Sequence, residues 1–414
     1  MTNPRHPTLQ VLALPPVRLF LMARFSMLFG RALIAAMLSY HIFAVTDSYA
    51  ALGILGLVEF APVIPVSLLG GAVADRFDRR KLLIAAALAS GLGAVLLAGL
   101  GWRYPDCLTG LLAVAFGLSV VSAFSRPAGS ALLPNLVPRE IFQNASVVAS
   151  SVVQLAFISG PVVMGLLVAR HGFGAPYALA AGGYAISLVF LFALRAPRVE
   201  GEKSDVSWQA VREGIAFVRG HKPILGSITL DMLAVIFAGA TAMLPVYAHE
   251  ILQVGPEGYG LLRAAIAMGT LAMAMGLMIL RPFARPGRAL LVAVFFFGVA
   301  TIVFGLSRSM TLSMLALIVA GMADQVSMTA RAVILQLSTP DTLRGRVNAV
   351  NFIFIGASNE LGEAESGFLA SLTSATFSVV AGGAVCLGAL GWVAARMPAL
   401  GRYRPGSPGG RTAS

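Results

Sequence analysis

The sequence predicts an all-α membrane protein: twelve transmembrane helices in two pseudo-symmetric six-helix bundles. Three observations carry that prediction. The first is composition: 57% of the 414 residues are hydrophobic and 12% are charged, against about 25% charged in a soluble domain. Mean hydropathy is +0.84. The second is a set of twelve apolar stretches, at about 18–44, 49–73, 82–101, 107–126, 142–169, 175–194, 223–248, 258–280, 289–307, 311–335, 347–371 and 375–395. Each is long enough to cross about 30 Å of hydrocarbon at 1.5 Å per residue, and none alternates as a barrel strand would. The third is the turn GGAVADRFDRRK at 70–81, where Asp75, Arg76, Asp78, Arg79, Arg80 and Lys81 crowd between two apolar runs. Such a cluster cannot stay in hydrocarbon, so it marks a membrane surface and a helical hairpin.

The elements follow in order. The first stretch, 18–44, is too long for a signal-peptide core and lacks a cleavage site, so it reads as the first span. With the N-terminus in the cytoplasm, the inside loops receive the 76–81 cluster, Arg139, the basic residues of 195–222, Arg281, Arg285, Arg288, Arg344 and Arg346. The outside loops receive only Arg103, Arg170 and Arg308. That asymmetry predicts cytoplasmic N- and C-termini and an inner-membrane location. Residues 1–194 form the first bundle, 195–222 a cytoplasmic linker, and 223–414 the second bundle with a basic tail. In the linker, Trp208, Val211, Ile215 and Val218 recur at helical spacing, which predicts an amphipathic helix on the lipid surface.

The halves repeat. Ser122 and Arg126 at the end of span four match Ser327 and Arg331 at the end of span ten. Asn144-Ala145 and Asn348-Ala349 then open the next spans, and Gly160 and Gly165 match Gly362 and Gly367. Duplicated six-helix halves place a binding site near the midplane between them.

Charges within the spans are expensive and point to function. Spans three, six, nine and twelve carry none in their interiors, which predicts a lipid-facing ring around a wet centre. Arg31 and Glu59 fall near the middle of spans one and two, so they can meet at similar depth, as a responsive ion pair in a cavity or as a static bridge. Glu360 and Glu363 share a face of span eleven and Glu365 points away. Neighbouring carboxylates suit proton uptake and release, so Glu360 and Glu363 lead the proton-coupling candidates, followed by Asp231 and Glu59. Arg263, at similar depth, is placed to neutralise one of them. With Arg31, Glu59 and Asp324 it makes up the set expected to line a substrate cavity, while Arg331 is expected to bridge helices.

Other classes find no support. The basic residues that give a net charge of +12 are dispersed at span ends, unlike a nucleic-acid face. Cys107, Cys386 and five scattered histidines suggest neither a disulfide framework nor a metal site. No phosphate-cradling Gly-Lys loop occurs, and no enzyme signature or cofactor site is expected.

The segment Gly71–Lys81 resembles the loop motif Gly-x-x-x-Asp-Arg-x-Gly-Arg-Arg/Lys of the major facilitator superfamily, with Asp78 in place of the second Gly. The stretches ALGILGLVEFAPVIPVSLLGGAVADRFDRR, SRPAGSALLPNLV and SNELGEAESG resemble the branch containing enterobactin-type siderophore exporters and macrolide-efflux proteins. The resemblance spans the chain. It implies secondary active transport by alternating access, and a cytoplasmic latch built from Gly71, Asp75, Arg76, Arg79 and Arg80, with Arg126 as an ion-pair partner. ISGPVVMGLL loosely resembles the superfamily's antiporter motif; there Gly160 and Gly165 allow close helix approach and Pro161 a bend. The expectation is therefore a monomeric, proton-coupled exporter of small amphipathic compounds, drug-like or siderophore-like, with substrate, protons and the lipid bilayer as partners. A lipid or lysolipid flippase of the same fold is the first alternative, and a non-transporting receptor or scaffold the second.

Overall fold

The computed structural model describes residues 7–63, 65–66, 78–138, 141–194, 208–279 and 283–404. Among these the regular elements are helices: α1 Pro7–Ala13, α2 Pro15–Thr46, α3 Tyr49–Phe60, α4 Arg79–Arg103, α5 Leu108–Leu132, α6 Phe142–His171 and α7 Gly174–Ala193. They continue with α8 Trp208–Gly220, α9 Lys222–Ala238, α10 Gly255–Ile279, α11 Pro286–Leu306, α12 Met310–Ser338, α13 Asp341–Leu372, α14 Ala375–Arg396 and α15 Pro398–Arg402.

Ten helical stretches among the described residues are long and apolar enough to cross a membrane. The other two expected spans are α3, described as a 12-residue apolar helix, and α13. Helix α13 has 32 residues, about 48 Å at the helical rise, but Glu360, Glu363 and Glu365 lower its hydropathy. One expected span is not continuous. After α9 the chain passes through a 3₁₀ turn at Ala240–Met243, a single α-turn at Leu244–Val246 and a π-turn at Tyr247–Ile251. Gly239 at the end of α9 and Pro245, which has no amide hydrogen to donate, explain the break.

By their contacts the residues group into two compact units, Met1–Thr46 with Ala61–Asp205, and Asp47–Phe60 with Val206–Ser414. In the first, α2 packs on α6 and α7, and α4 packs on α5 and α7. Gly160 lets α6 approach α2: a Cβ there would stand 2.9 Å from the Ala32 Cβ and 3.0 Å from the Leu33 amide nitrogen. Gly165 and Pro161 are also buried in α6. Gly160→Leu must push backbone apart and is expected to lower stability by about 1–3 kcal/mol. Gly117→Leu, at a position facing open space, serves as the neutral control in thermal unfolding of the detergent-solubilised protein.

In the second unit α12 packs on α10 and α11, α14 on α9 and α11, and α13 on α3 and α9. Helix α8 is amphipathic as expected, but its inner face is not simply laid on lipid. Gly214 packs against the Arg346 carbonyl and Val350 of α13, Val218 is buried, and Glu213 pairs with Arg346. The helices whose interiors carry no charge expose apolar side chains: Leu92 and Leu96 on α4, Val189 and Phe192 on α7, Val292 and Phe296 on α11, Phe377 and Trp392 on α14. This is the pattern of lipid-facing surface.

Candidate functional site

In the second unit, small residues bring α3 and α13 together and fix a polar cluster at the crossing. A Cβ on Gly56 would meet the Ala364 amide at 2.6 Å and the Glu360 carbonyl at 2.9 Å, and Gly53 and Gly367 meet backbone to backbone. The crossing thus falls on the turn of α13 that carries Glu360 and Glu363. Glu59 lies one turn beyond Gly56 on α3. From α10, Arg263 donates to the Tyr259 hydroxyl at 2.9 Å, and its guanidinium is within electrostatic reach of Glu363 and Glu59. Glu363 in turn feels Arg263 and Glu360. All four charged side chains are half-buried. Counting from the ends Tyr49, Gly255 and Leu372, they lie about 12–18 Å along their helices, near the middle of a ~30 Å hydrocarbon layer. Glu365, also half-buried, points elsewhere and accepts from the Ser366 hydroxyl at 3.4 Å.

A second buried pair joins α9 to α12. Asp231 pairs with Arg331, and the Ser327 hydroxyl donates to Asp231 at 3.5 Å. Both charged residues are buried. The repeat signature Ser327-x-x-x-Arg331 therefore converges on one carboxylate. Asp324 is half-buried one turn earlier on α12. At the Tyr49 end, the Tyr49 hydroxyl donates to Glu250 at 2.7 Å, next to the π-turn, a geometry often found at functional sites.

In the first unit Arg31 is half-buried on α2 and lies within electrostatic reach of Tyr184 on α7. His41 is fully buried; its Nδ1 is 3.2 Å from the Tyr177 hydroxyl and its ring, tilted by 32°, lies 4.3 Å from that of Phe173. The sequence gives no sign of this aromatic seat, because no local spacing links residues 136 positions apart.

The loop motif is partly described. Asp78 caps α4, accepting from the Arg80 amide at 2.9 Å and the Lys81 amide at 3.4 Å. The departure from the motif's glycine thus supplies an N-cap, satisfying amides that a helix start leaves unpaired. Arg80 donates to the Leu191 carbonyl at 2.7 Å and the Phe192 carbonyl at 2.9 Å, the unpaired C-terminal end of α7. Arg79 is half-buried. Gly71, Asp75 and Arg76 lie outside the described residues, as does the side chain of Arg126. At the start of α11, the neighbouring charges of Arg288 and Arg404 hold the exposed Arg285 guanidinium below its ordinary value, so like charges are concentrated at that connection.

Comparison with known proteins agrees with this architecture. The chain is 28% identical over 340 residues to the enterobactin exporter EntS of Escherichia coli O81 (strain ED1a), covering 81% of this chain and 80% of the relative. The same figures hold for enterobactin exporter EntS of Shigella dysenteriae serotype 1 (strain Sd197). The fold matches a crystal structure of a POT family transporter in complex with 5-aminolevulinic acid, with TM-score 0.75 and 15% identity over 93% of this chain and 96% of that one. It also matches the inward-facing, unoccupied structure of a bacterial homolog of the human lysosomal transporter Spinster, with TM-score 0.69 and 15% identity over 99% and 100% of the two chains. The family model of the Major Facilitator Superfamily matches residues 20–363. With that match covering most of the chain, the protein belongs to the Major Facilitator Superfamily and is a membrane transporter of that family.

Proposed function

We propose that this transporter exports small amphipathic organic compounds, siderophore-like or drug-like, in exchange for protons by alternating access. The single observation that carries the reading is the mid-depth cluster in which Arg263 lies within electrostatic reach of Glu363 and Glu59, and Glu363 within reach of Glu360. Carboxylates in hydrocarbon are costly unless they carry function, and neighbouring carboxylates suit proton uptake and release. Similarity to enterobactin exporters supports the direction and the substrate class. Asp231, held by Arg331, is the next candidate for coupling, and Arg31 and Asp324 contribute polar groups to the substrate path.

The remaining parts fit this scheme. Arg79 and Arg80, with Gly71, Asp75, Arg76 and Arg126, form the latch that opens and closes on the cytoplasmic side. The basic connection at Arg285 and Arg288 faces the cytoplasm by the positive-inside rule, in an inner-membrane monomer. The two sequence halves, 1–194 and 223–414, rock as bundles about the linker 195–222.

Flux into proteoliposomes under an imposed pH gradient tests the reading. A siderophore-like catecholate or a cationic dye is expected to accumulate against its gradient at least about tenfold, as expected for roughly 1.4 kcal/mol of coupling. Accumulation must vanish when a protonophore collapses the gradient. Equal accumulation with and without the gradient would rule out proton exchange.

A further inference from the structure

At one end of the first unit, α2, α4 and α7 leave a small crevice, partly open at the surface. Phe20, Met27, Leu83 and Leu191 form its apolar walls, and Arg24 and Ser187 are its polar groups. Two features of those groups are unusual. The Ser187 hydroxyl is fully buried and has no hydrogen-bond partner among the described residues. Other helical serines here, Ser39, Ser146, Ser151, Ser159 and Ser358, bond back to the carbonyl four residues earlier; Ser187 keeps its donor for something else. The Arg24 guanidinium, meanwhile, lies so close to Gly129 of α5 that any side chain at that position would collide with it, so the glycine leaves the room that the cation fills.

The surroundings say what such a crevice fits. Arg18 is exposed on α2, and Arg79 and Lys81 stand at the start of α4, next to Arg80 with its bonds to Leu191 and Phe192. The end is strongly basic. Further into the span, α4 and α7 expose Leu88, Leu92 and Ile186. A cation and a hydroxyl donor set in an apolar wall, beneath a basic rim and beside exposed apolar helices, match a negatively charged head joined to hydrocarbon tails. A free anion would be met by one guanidinium and one hydroxyl in an otherwise apolar space, which replaces its water poorly.

We propose that this crevice binds the phosphodiester of an anionic phospholipid, with Arg24 as charge partner and Ser187 as hydroxyl donor. The site is separate from the carboxylate cluster and does not depend on the transport reading.

The test uses the full chain, purified in detergent and offered phosphatidylglycerol, phosphatidylcholine or inorganic phosphate. Bound lipid is counted by native mass spectrometry, and the thermal midpoint is followed in parallel. Phosphatidylglycerol is expected to be retained about tenfold over phosphatidylcholine, with Arg24→Gln removing the preference and Arg24→Lys keeping part of it. Ser187→Ala, which leaves the shape intact, is expected to reduce the preference about threefold to fivefold. Inorganic phosphate is expected to leave the midpoint unmoved. Equal retention of the two lipids overturns the proposal, as does full preference in Arg24→Gln. A phosphate shift equal to that of phosphatidylglycerol assigns the crevice to a free anion and also overturns it. Should Arg24→Gln fail to fold, unchanged preference in Ser187→Ala decides against the site.

Discussion

Replacing Glu363 with glutamine is expected to abolish uphill, proton-driven export while leaving downhill exchange of substrate nearly intact. The side chain sits between Arg263 on one side and Glu360 on the other. In the proposed proton-coupled cycle the wild-type carboxyl alternates between a charged form that satisfies Arg263 and a neutral form that does not repel Glu360. Glutamine has the shape of the neutral form and cannot make the other, so the cycle loses its proton-dependent step. The expected fall in gradient-driven flux is about a hundredfold or more, the scale at which a positioned proton carrier contributes to a rate. Exchange of labelled for unlabelled substrate, which needs no net proton movement, is expected to stay within about threefold of wild type by the same reasoning. Glu363→Asp is expected to restore part of the driven flux, because it restores the titratable group at a shorter reach. Glu360→Gln is expected to have a smaller effect, since Glu363 then keeps its titratable carboxyl and its guanidinium partner. Full driven flux in Glu363→Gln would remove this residue from the coupling path.

Much of this arrangement was legible in the sequence, and for a physical reason. In a bilayer the hydrophobic signal is long and continuous, so α2, α4, α5, α6 and α7 can be read directly from the apolar runs. The exceptional residues, charges within those runs, are few enough to name. What escaped depends on contacts that no window of sequence contains. The span after Lys222 reads as continuous hydrocarbon, yet Gly239 and Pro245 break it into 3₁₀, α and π turns. Their local effect was visible, but hydropathy alone does not register it. Gly53 and Gly56 look like ordinary membrane glycines until α13 is laid against them; only then do they explain why Glu59 reaches the Arg263 neighbourhood. Arg80 reads as an interfacial anchor, whereas its bonds to the end of α7 make it a helix cap supplied from 111 residues away. Asp78 is the instructive opposite. As a departure from a motif it reads as a defect, while as an N-cap residue it is among the types that most favour a helix start.

Asp231→Leu is expected to be the most destabilising single substitution in the second unit. The pair Asp231–Arg331 is buried, and the hydroxyl of Ser327 also donates to the carboxylate. Removing one member leaves a guanidinium in a low-dielectric interior without its counter-charge, which costs about 3–5 kcal/mol. Arg331→Met leaves the carboxylate stranded instead and is expected to cost a similar amount, eased where a proton neutralises the acid. Combining Asp231→Leu with Arg331→Met removes both charges, and the desolvation cost with them, so the double variant is expected to return to within about 1 kcal/mol of wild type or above it. Thermal unfolding of the four proteins in one detergent closes the cycle; the coupling energy is the double change minus the sum of the singles. If the pair serves stability alone, the double variant transports as well as it folds. If Asp231 also carries a proton, the double variant is stable and folded but fails to accumulate substrate under a pH gradient. A double variant as unstable as the singles would show that α9 and α12 are held by the shape of these side chains rather than by their charges. The same pair of readouts applied to Ser327→Ala isolates the hydroxyl. A loss near 1 kcal/mol with intact flux is expected, since one hydrogen bond of modest length is removed and the ion pair remains.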